Sequence, residues 1–118
     1  MAMAERKYPT YQELRARRLA ELRATAIEAV RGAERLARAR GGHLVVFGSL
    51  ATGRLHERSD IDVALYGVPP GQDLAVAAEV MSHLNLAGFE ADVLEERFLS
   101  PSLKARIERD GRLPGDLA

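Results

Sequence analysis

Apolar side chains recur at close to helical spacing along the first third of the chain, and arginines fill many of the positions between them. The apolar series is Tyr11, Leu14, Leu19, Leu22, Ala26, Val30, Ala33 and Ala37. A repeat of three to four residues is typical of a helix with one apolar face. Thr10 and Glu13 form the T-x-x-E pattern of a helix start, and Gly41 and Gly42 supply glycine where a helix should stop. We therefore predict one long helix over residues 10–40.

Short apolar runs bounded by glycine, proline and polar residues follow this helix. HLVVF (43–47), DIDVALY (60–66) and FEADVL (89–94) are typical of strands. Helices are predicted at 50–53 (a single turn), at 73–86, and from Ser100 to about Asp110, with Pro101 in the first turn. This alternation predicts an α/β (α+β) fold, in which helices cover a small mixed sheet of three to four strands.

Length and composition suit one domain, because 118 residues with 47% hydrophobic side chains can build a modest core. We divide the chain into an N-terminal helical arm (1–42), a core (43–112) and a loose C-terminal tail (113–118). No cysteine is present, which excludes disulfides and thiolate metal sites. No apolar run approaches the roughly 20 residues that span a membrane, and the first residues do not look like a signal peptide. We expect a cytoplasmic protein without a membrane partner.

Charge is unevenly distributed although the net charge is zero. Residues 1–40 carry ten Lys and Arg against five Asp and Glu, whereas residues 41–118 carry seven against twelve. A basic arm on an acidic body could reach a partner, or it could pack against its own domain. The apolar stripe of the arm favours packing against its own domain.

The first chemical signal is the pair Gly48 and Ser49, which follows a strand and begins a short helix. Unpaired N–H groups at such a point bind anions, most often phosphate. By itself the pair is weak evidence, because an ordinary helix cap is the more common explanation of such a pair. Three histidines, His43, His56 and His83, do not show the spacing of a metal motif.

Three aspartates strengthen the signal. Asp60 and Asp62 lie two residues apart and so share one face of a strand, where two carboxylates repel each other. Folding gains nothing from that repulsion unless a cation such as Mg²⁺ lies between them. Asp92 stands inside an apolar strand, where a buried charge is costly without a partner. The alternatives are a solvated strand end for the first two residues and a solvent-facing edge strand for Asp92.

Three carboxylates beside a phosphate-binding turn match two-metal nucleotidyl transfer. In this interpretation Asp60 and Asp62 hold one ion, Asp92 shares the second, and Asp92 also serves as general base.

At this point the sequence resembles a family. Gly48 and Ser49, ten residues and then Asp60-x-Asp62 form the G-S-x10-D-x-D signature of the DNA polymerase β-like nucleotidyltransferases. The run GSLATGRLHERSDIDVAL resembles the minimal nucleotidyltransferases, and the resemblance covers residues 44–110. It implies the fold of that superfamily, two Mg²⁺ ions, ATP as substrate and Asp60, Asp62 and Asp92 as catalytic and metal-binding residues.

One position departs from the family pattern. Thr52 stands where members often carry arginine, so we expect phosphate contacts from Arg54 or Arg58, and we select Arg58 together with Gly48 and Ser49.

The resemblance also suggests a partner. Many small members are antitoxins that add AMP to a tyrosine of a HEPN-type ribonuclease toxin and so neutralise it. The resemblance therefore predicts a protein adenylyltransferase in a homo- or hetero-oligomer, without direct nucleic-acid binding. Alternatives are transfer to a small molecule such as an aminoglycoside, transfer to an RNA end, or a non-catalytic antitoxin that masks its partner. The chain is too short to offer a second domain for an acceptor pocket, which favours an acceptor presented by another protein.

Overall fold

The computed structural model describes residues 8–118. The four α-helices of this part of the chain and its three strands follow the predicted order. They are α1 (Tyr11–Ala39), β1 (His43–Phe47), α2 (Gly48–Thr52), β2 (Ile61–Tyr66), α3 (Asp73–Leu86), β3 (Ala91–Glu95) and α4 (Pro101–Asp110), with 3₁₀ turns at Glu96–Phe98 and Pro114–Asp116. The predicted fold class, a small mixed sheet covered by helices after a long first helix, is confirmed.

The sheet has the order β1-β2-β3, in which β1 runs antiparallel to β2 and β2 runs parallel to β3. The carboxyl end of β1 therefore lies at the same edge as the amino ends of β2 and β3. At that edge Phe47, Asp62 and Asp92 are direct neighbours across the three strands. Residues separated by 15 to 45 positions in sequence are thus brought to one end of the sheet.

Each face of the sheet is covered by different helices. Leu44, Val46, Ile61, Val63 and Leu65 point to the larger core, which α1 and α3 complete. Because side chains alternate along a strand, Phe47 and Ala64 point the other way and pack with Leu99 and Ile107 near α4. Asp62 and Asp92 belong to this second face, so α4 is the helix that flanks them.

Helix α1 divides into a packed half and a projecting half. Its start shows the predicted capping box, in which the Thr10 hydroxyl accepts a hydrogen bond from Glu13 N at 3.1 Å. In the second half, buried residues such as Ala26, Val30 and Ala37 join the core, so that part of the predicted arm packs on its own domain. In the first half, Tyr11 is 71% exposed and Leu14 is 38% exposed.

The C-terminal segment was predicted to be loose, and the structure shows that this prediction was wrong. Pro114 and Leu117 are buried. Arg31 donates hydrogen bonds to the carbonyls of Pro114 (3.3 Å) and Leu117 (2.9 Å). Arg112 also pairs with Val46 on the free edge of β1. Nothing in the local pattern of these residues indicated packing, because their partners lie about 80 positions earlier.

We expect Leu117→Ala to lower the free energy of unfolding by about 2–3 kcal/mol, because it removes a buried side chain and leaves a cavity. Urea unfolding followed by circular dichroism measures this loss. Leu113→Ala is the matched control, since Leu113 lies in the same segment but is 45% exposed, and it should cost less than about 1 kcal/mol. Equal small losses in both variants would mean that the segment does not pack in solution.

Within residues 8–118, no helix is long and apolar enough to cross a lipid bilayer.

Candidate active site

The candidate site lies at the edge where β1 ends and where β2 and β3 begin. Helix α2 starts at Gly48, directly after β1, and the strand register places Asp62 beside Phe47 and Asp92 beside Asp62. Since β2 and β3 are parallel and in register here, Asp62 and Asp92 point to the same face of the sheet. The structure therefore brings together the predicted phosphate turn and two of the three predicted carboxylates.

Asp62 is the central group of this cluster. Its side chain is half-buried, and its pKa is raised from 3.8 to about 6. Burial is the largest cause, followed by the charge of Asp92, a hydrogen bond with Asp92 and the charge of Asp60. Arg106 partly offsets the rise. The crowded negative charge is what a bound cation would relieve.

Asp60 and Asp92 are both exposed. Asp60 immediately precedes β2 and influences Asp62 through its charge. For Asp92 the sequence left open a buried charge with a partner or a solvent-facing edge strand; β3 is an edge strand, and the Asp92 side chain faces solvent. The carboxylate that loses contact with water is therefore Asp62 rather than Asp92. The pairing of Asp92 with Asp62 remains.

Gly48 is required by the close approach of α2 to the carboxylates. Its φ is +70°, in the left-handed region, and a Cβ atom at this position would collide with Asp62 Oδ2. The backbone of the turn is therefore in direct contact with the Asp62 carboxylate. Only glycine combines this φ with this lack of space.

Ser49 lies inside the first turn of α2, with a hydroxyl that forms no hydrogen bond within the described part of the chain. The position that caps this helix is Phe47, whose side chain makes no capping bond. The interpretation of Ser49 as an ordinary cap therefore does not hold. Thr52, which replaces the arginine frequent in the family, donates its hydroxyl hydrogen to Gly48 O at 3.1 Å within the same helix.

The loop between α2 and β2 is folded by its own side chains. Ser59 Oγ accepts a hydrogen bond from His56 N at 3.0 Å, and His56 Nδ1 accepts one from Arg58 N at 3.1 Å. His56 and Ser59 thus organise the loop. The side chains of Arg54 and Arg58 are exposed, so the phosphate contact predicted for Arg58 remains a prediction.

A cleft of about 380 Å³ opens beside this loop. Its walls include Leu22, Arg58, Asp60, Phe89 and Glu90. A pocket beside Asp60 thus forms within the single domain and does not require a second one. Helix α1 supplies one wall through Leu22, and the turn before β3 supplies another, a combination that depends on tertiary packing.

Arg106 is a cation near the site that the sequence did not reveal. It lies on α4, where Leu103 and Ile107 pack against the Phe47 and Ala64 cluster, and its charge acts on Asp62. The sequence around an exposed arginine on an amphipathic helix does not indicate whether that arginine has a function. Only the packing of α4 on this face of the sheet makes it a candidate.

The residues fit a magnesium ion through the Asp62 and Asp92 pair. Within residues 8–118, no group of three or more His, Cys, Asp or Glu side chains is arranged to hold a metal ion. Mg²⁺ usually binds through one or two carboxylates and completes its shell with water and substrate phosphates. The pair supplies those ligands, and the repulsion between the two carboxylates, which adds to burial in raising the pKa of Asp62, favours a cation.

The raised pKa predicts how stability depends on pH. The folded protein binds a proton at Asp62 more tightly than the unfolded chain does, so stability falls as pH rises from about 4 through about 6. Asp62→Asn has no such group. In the presence of a chelator it should be about 1 kcal/mol more stable than the wild type at pH 8, after allowance for solvent screening. Urea unfolding at pH 4 and pH 8 tests this, and a stability difference that does not grow between the two would contradict it.

Comparison with known proteins identifies the family and supports the fold. The model of the nucleotidyltransferase domain family matches residues 30–114. A provisionally assigned minimal nucleotidyltransferase of known structure is 32% identical, with a TM-score of 0.61 over 80% of this chain and 93% of that one. A crystal structure of a toxin–antitoxin with AMP-PNP is 23% identical, with a TM-score of 0.53 over 68% of this chain and 67% of that one, and this likeness concerns the fold alone. None of the curated proteins matches the chain significantly.

Proposed function

Because the chain belongs to the nucleotidyltransferase domain family, we propose that it is a Mg²⁺-dependent enzyme that moves AMP from ATP to a hydroxyl group of a protein partner. The observation that carries the proposal is the contact of the Gly48 turn with Asp62, which pairs with Asp92. Nucleotidyl transfer needs a triphosphate and a cation held at one point. A phosphate-binding turn against paired carboxylates provides that point.

Each residue has a separate role in the proposal. The N–H groups of the Gly48 turn and the free hydroxyl of Ser49 donate hydrogen bonds to phosphate oxygens. Asp62 and Asp92 would hold Mg²⁺, and Asp60 would lie next to them at the start of β2. The resemblance implies two ions. When bound there, Mg²⁺ would supply positive charge that offsets the triphosphate and favours attack on the α-phosphorus. The proposal assigns the contacts with the outer phosphates to Arg58 and Arg106.

The proposed reaction is an in-line displacement at the α-phosphorus. The acceptor oxygen forms a bond to the α-phosphorus, the bond from that phosphorus to the bridging oxygen breaks, and pyrophosphate leaves. The proton of the acceptor hydroxyl passes to the Asp92 carboxylate. The exposure of Asp92 suits this role, because an acceptor that comes from solvent can reach it.

A protein acceptor is supported by the projecting half of α1. Arg15 on that half forms an ion pair with Glu57 at 2.8 Å, and Glu57 lies three residues before Asp60. A protein that docks on the exposed, arginine-rich turns of α1 would therefore stand beside the site. The resemblance to small antitoxins makes a HEPN-type ribonuclease toxin the first partner to test, and a toxin–antitoxin shares the fold. We place the pair in the cytoplasm.

The cleft beside Asp60 supports a second candidate function. Its volume of about 380 Å³ falls within the range of small-molecule sites, and Asp60 lies in its wall. A small molecule with a hydroxyl group could bind there and receive AMP in place of a protein.

Labelled ATP separates these functions. With Mg²⁺ and a HEPN-type partner, label from the α-phosphate should appear on the partner, label from the γ-phosphate should not, and the intact mass should rise by whole AMP units. Label from the γ-phosphate would show phosphoryl transfer and contradict the proposal. An unmodified partner, together with AMP on an aminoglycoside or another small hydroxyl compound, would establish the second candidate. An unmodified but neutralised partner would indicate masking without catalysis.

A further inference from the structure

Arg23 of α1 joins two segments that are distant in sequence. Its guanidinium donates one hydrogen bond from Nη1 to the carbonyl of Leu50 at 2.9 Å and another from Nε to the carbonyl of Ala118 at 3.0 Å. Leu50 belongs to α2, the helix that begins with the phosphate turn. Arg23 therefore connects the long first helix to the short helix of the candidate site.

Helix α2 depends on such contacts for its position. It has only five residues, and helices this short are unstable in isolation. The carbonyl groups at the end of a helix lack partners within the helix, and a cation there also complements the helix dipole. Arg23 supplies both a hydrogen-bond donor and a positive charge at the carbonyl of Leu50. On the other side, the fully buried Leu50 side chain anchors α2 in the core.

We infer that Arg23 is a positioning residue for nucleotide binding, because it holds α2 at the distance from Asp62 that the phosphate turn requires. The inference rests on the proposed function. The contact between Gly48 and Asp62 leaves no room for a closer approach, so release of α2 would move the turn away from the carboxylates. The triphosphate would then lose its simultaneous contact with the turn and the cation.

Arg31 provides a matched control. It lies two turns further along α1, and it donates hydrogen bonds to the carbonyls of Pro114 and Leu117. Both arginines thus hold the C-terminal segment, but the hydrogen bond to α2 is made by Arg23. A comparison of the two variants separates general loss of packing from displacement of the phosphate turn.

Calorimetric titration with Mg·ATP, well below the melting temperature, tests the inference on the full chain. Arg23→Ala should raise the Kd about tenfold, within the range of coupling between sites, while Arg31→Ala should change it less than about twofold. Both variants should lower the melting temperature. Arg23→Lys, which keeps one donor for Leu50 O, should restore most of the affinity and remains informative if Arg23→Ala does not fold.

The outcomes are distinct. Equal changes in affinity for the two alanine variants, or no rescue by lysine, would overturn the inference while the proposed function stands. A wild-type protein that does not bind Mg·ATP would overturn the proposed function, and the inference with it.

Discussion

Replacement of Asp62 by asparagine is expected to reduce the rate of AMP transfer by at least about 1000-fold, or about 4 kcal/mol of transition-state stabilisation. Asp62 contacts the Gly48 turn on one side and pairs with Asp92 on the other. A neutral amide keeps the shape of the side chain but removes the charge that holds the cation next to the phosphates. The measurement is the single-turnover rate of label transfer from ATP labelled at the α-phosphate.

Glu28→Gln is the control for loss of a carboxylate. Glu28 is exposed on α1, outside the strand edge that forms the site, and its replacement should leave the rate within about twofold of wild type. The Asp62→Asn protein should remain folded, because its neutral side chain relieves repulsion from Asp92. Wild-type activity in Asp62→Asn would show that the nucleotide and metal are held elsewhere.

Gly48→Ala is expected to lower the free energy of unfolding by about 2 kcal/mol and to remove measurable ATP binding. An L-residue at φ +70° costs about 1–2 kcal/mol, and the new methyl group must also push against Asp62 Oδ2. That push separates the phosphate turn from the carboxylate. Thermal unfolding and calorimetric titration with Mg·ATP measure the two effects.

Gly53→Ala is the matched control at the other end of the same helix. Gly53 has a φ of +76°, but apart from its two chain neighbours no residue places an atom within 4 Å of the Cβ position. Its substitution should cost about 1 kcal/mol of stability and preserve ATP binding. If both variants lose the same stability and both still bind ATP, the contact between Gly48 and Asp62 is not important for the site.

Local patterns were sufficient for the order of the elements. The spacing of apolar residues and the capping box located α1, and the breakers around 67–72 located α3. Strand ends were less predictable. Asp60 and Phe89 were assigned to strands, yet the ladder between β2 and β3 begins with the pair of Ile61 and Ala91. Which residues of an apolar run join a ladder depends on the neighbouring strand, which periodicity does not identify.

Contacts between distant segments were beyond the reach of the sequence. The C-terminal residues have no strong apolar pattern, and their burial depends on Arg31 and on the packed half of α1. The cleft beside Asp60 requires α1, a loop and the turn before β3 to meet. The spacing of residues along the chain does not predict that these segments meet.

The candidate site could be predicted from the sequence only in part. The spacing of Gly48, Ser49, Asp60 and Asp62 is local, so the motif was visible, whereas the pairing of Asp62 with Asp92 follows from the register of two strands 30 residues apart. The apolar neighbours of Asp92 left open whether its side chain is buried or faces solvent. Because β3 is an edge strand, Asp92 is exposed, whereas Asp62 on the central strand β2 is half-buried. Arg23 and Arg106 resemble any surface arginine until the helices are packed.

The most direct test of the central claim, that the Gly48 turn and the carboxylates of Asp62 and Asp92 form one nucleotide site, is calorimetric titration of the wild-type protein with ATP, with and without Mg²⁺. We predict saturable binding with a Kd between about 1 μM and 1 mM, in the usual range for enzyme substrates. We expect binding to depend on Mg²⁺ and to be lost in Asp62→Asn. The absence of binding at millimolar ATP and Mg²⁺, or equal binding by Asp62→Asn, would contradict the account.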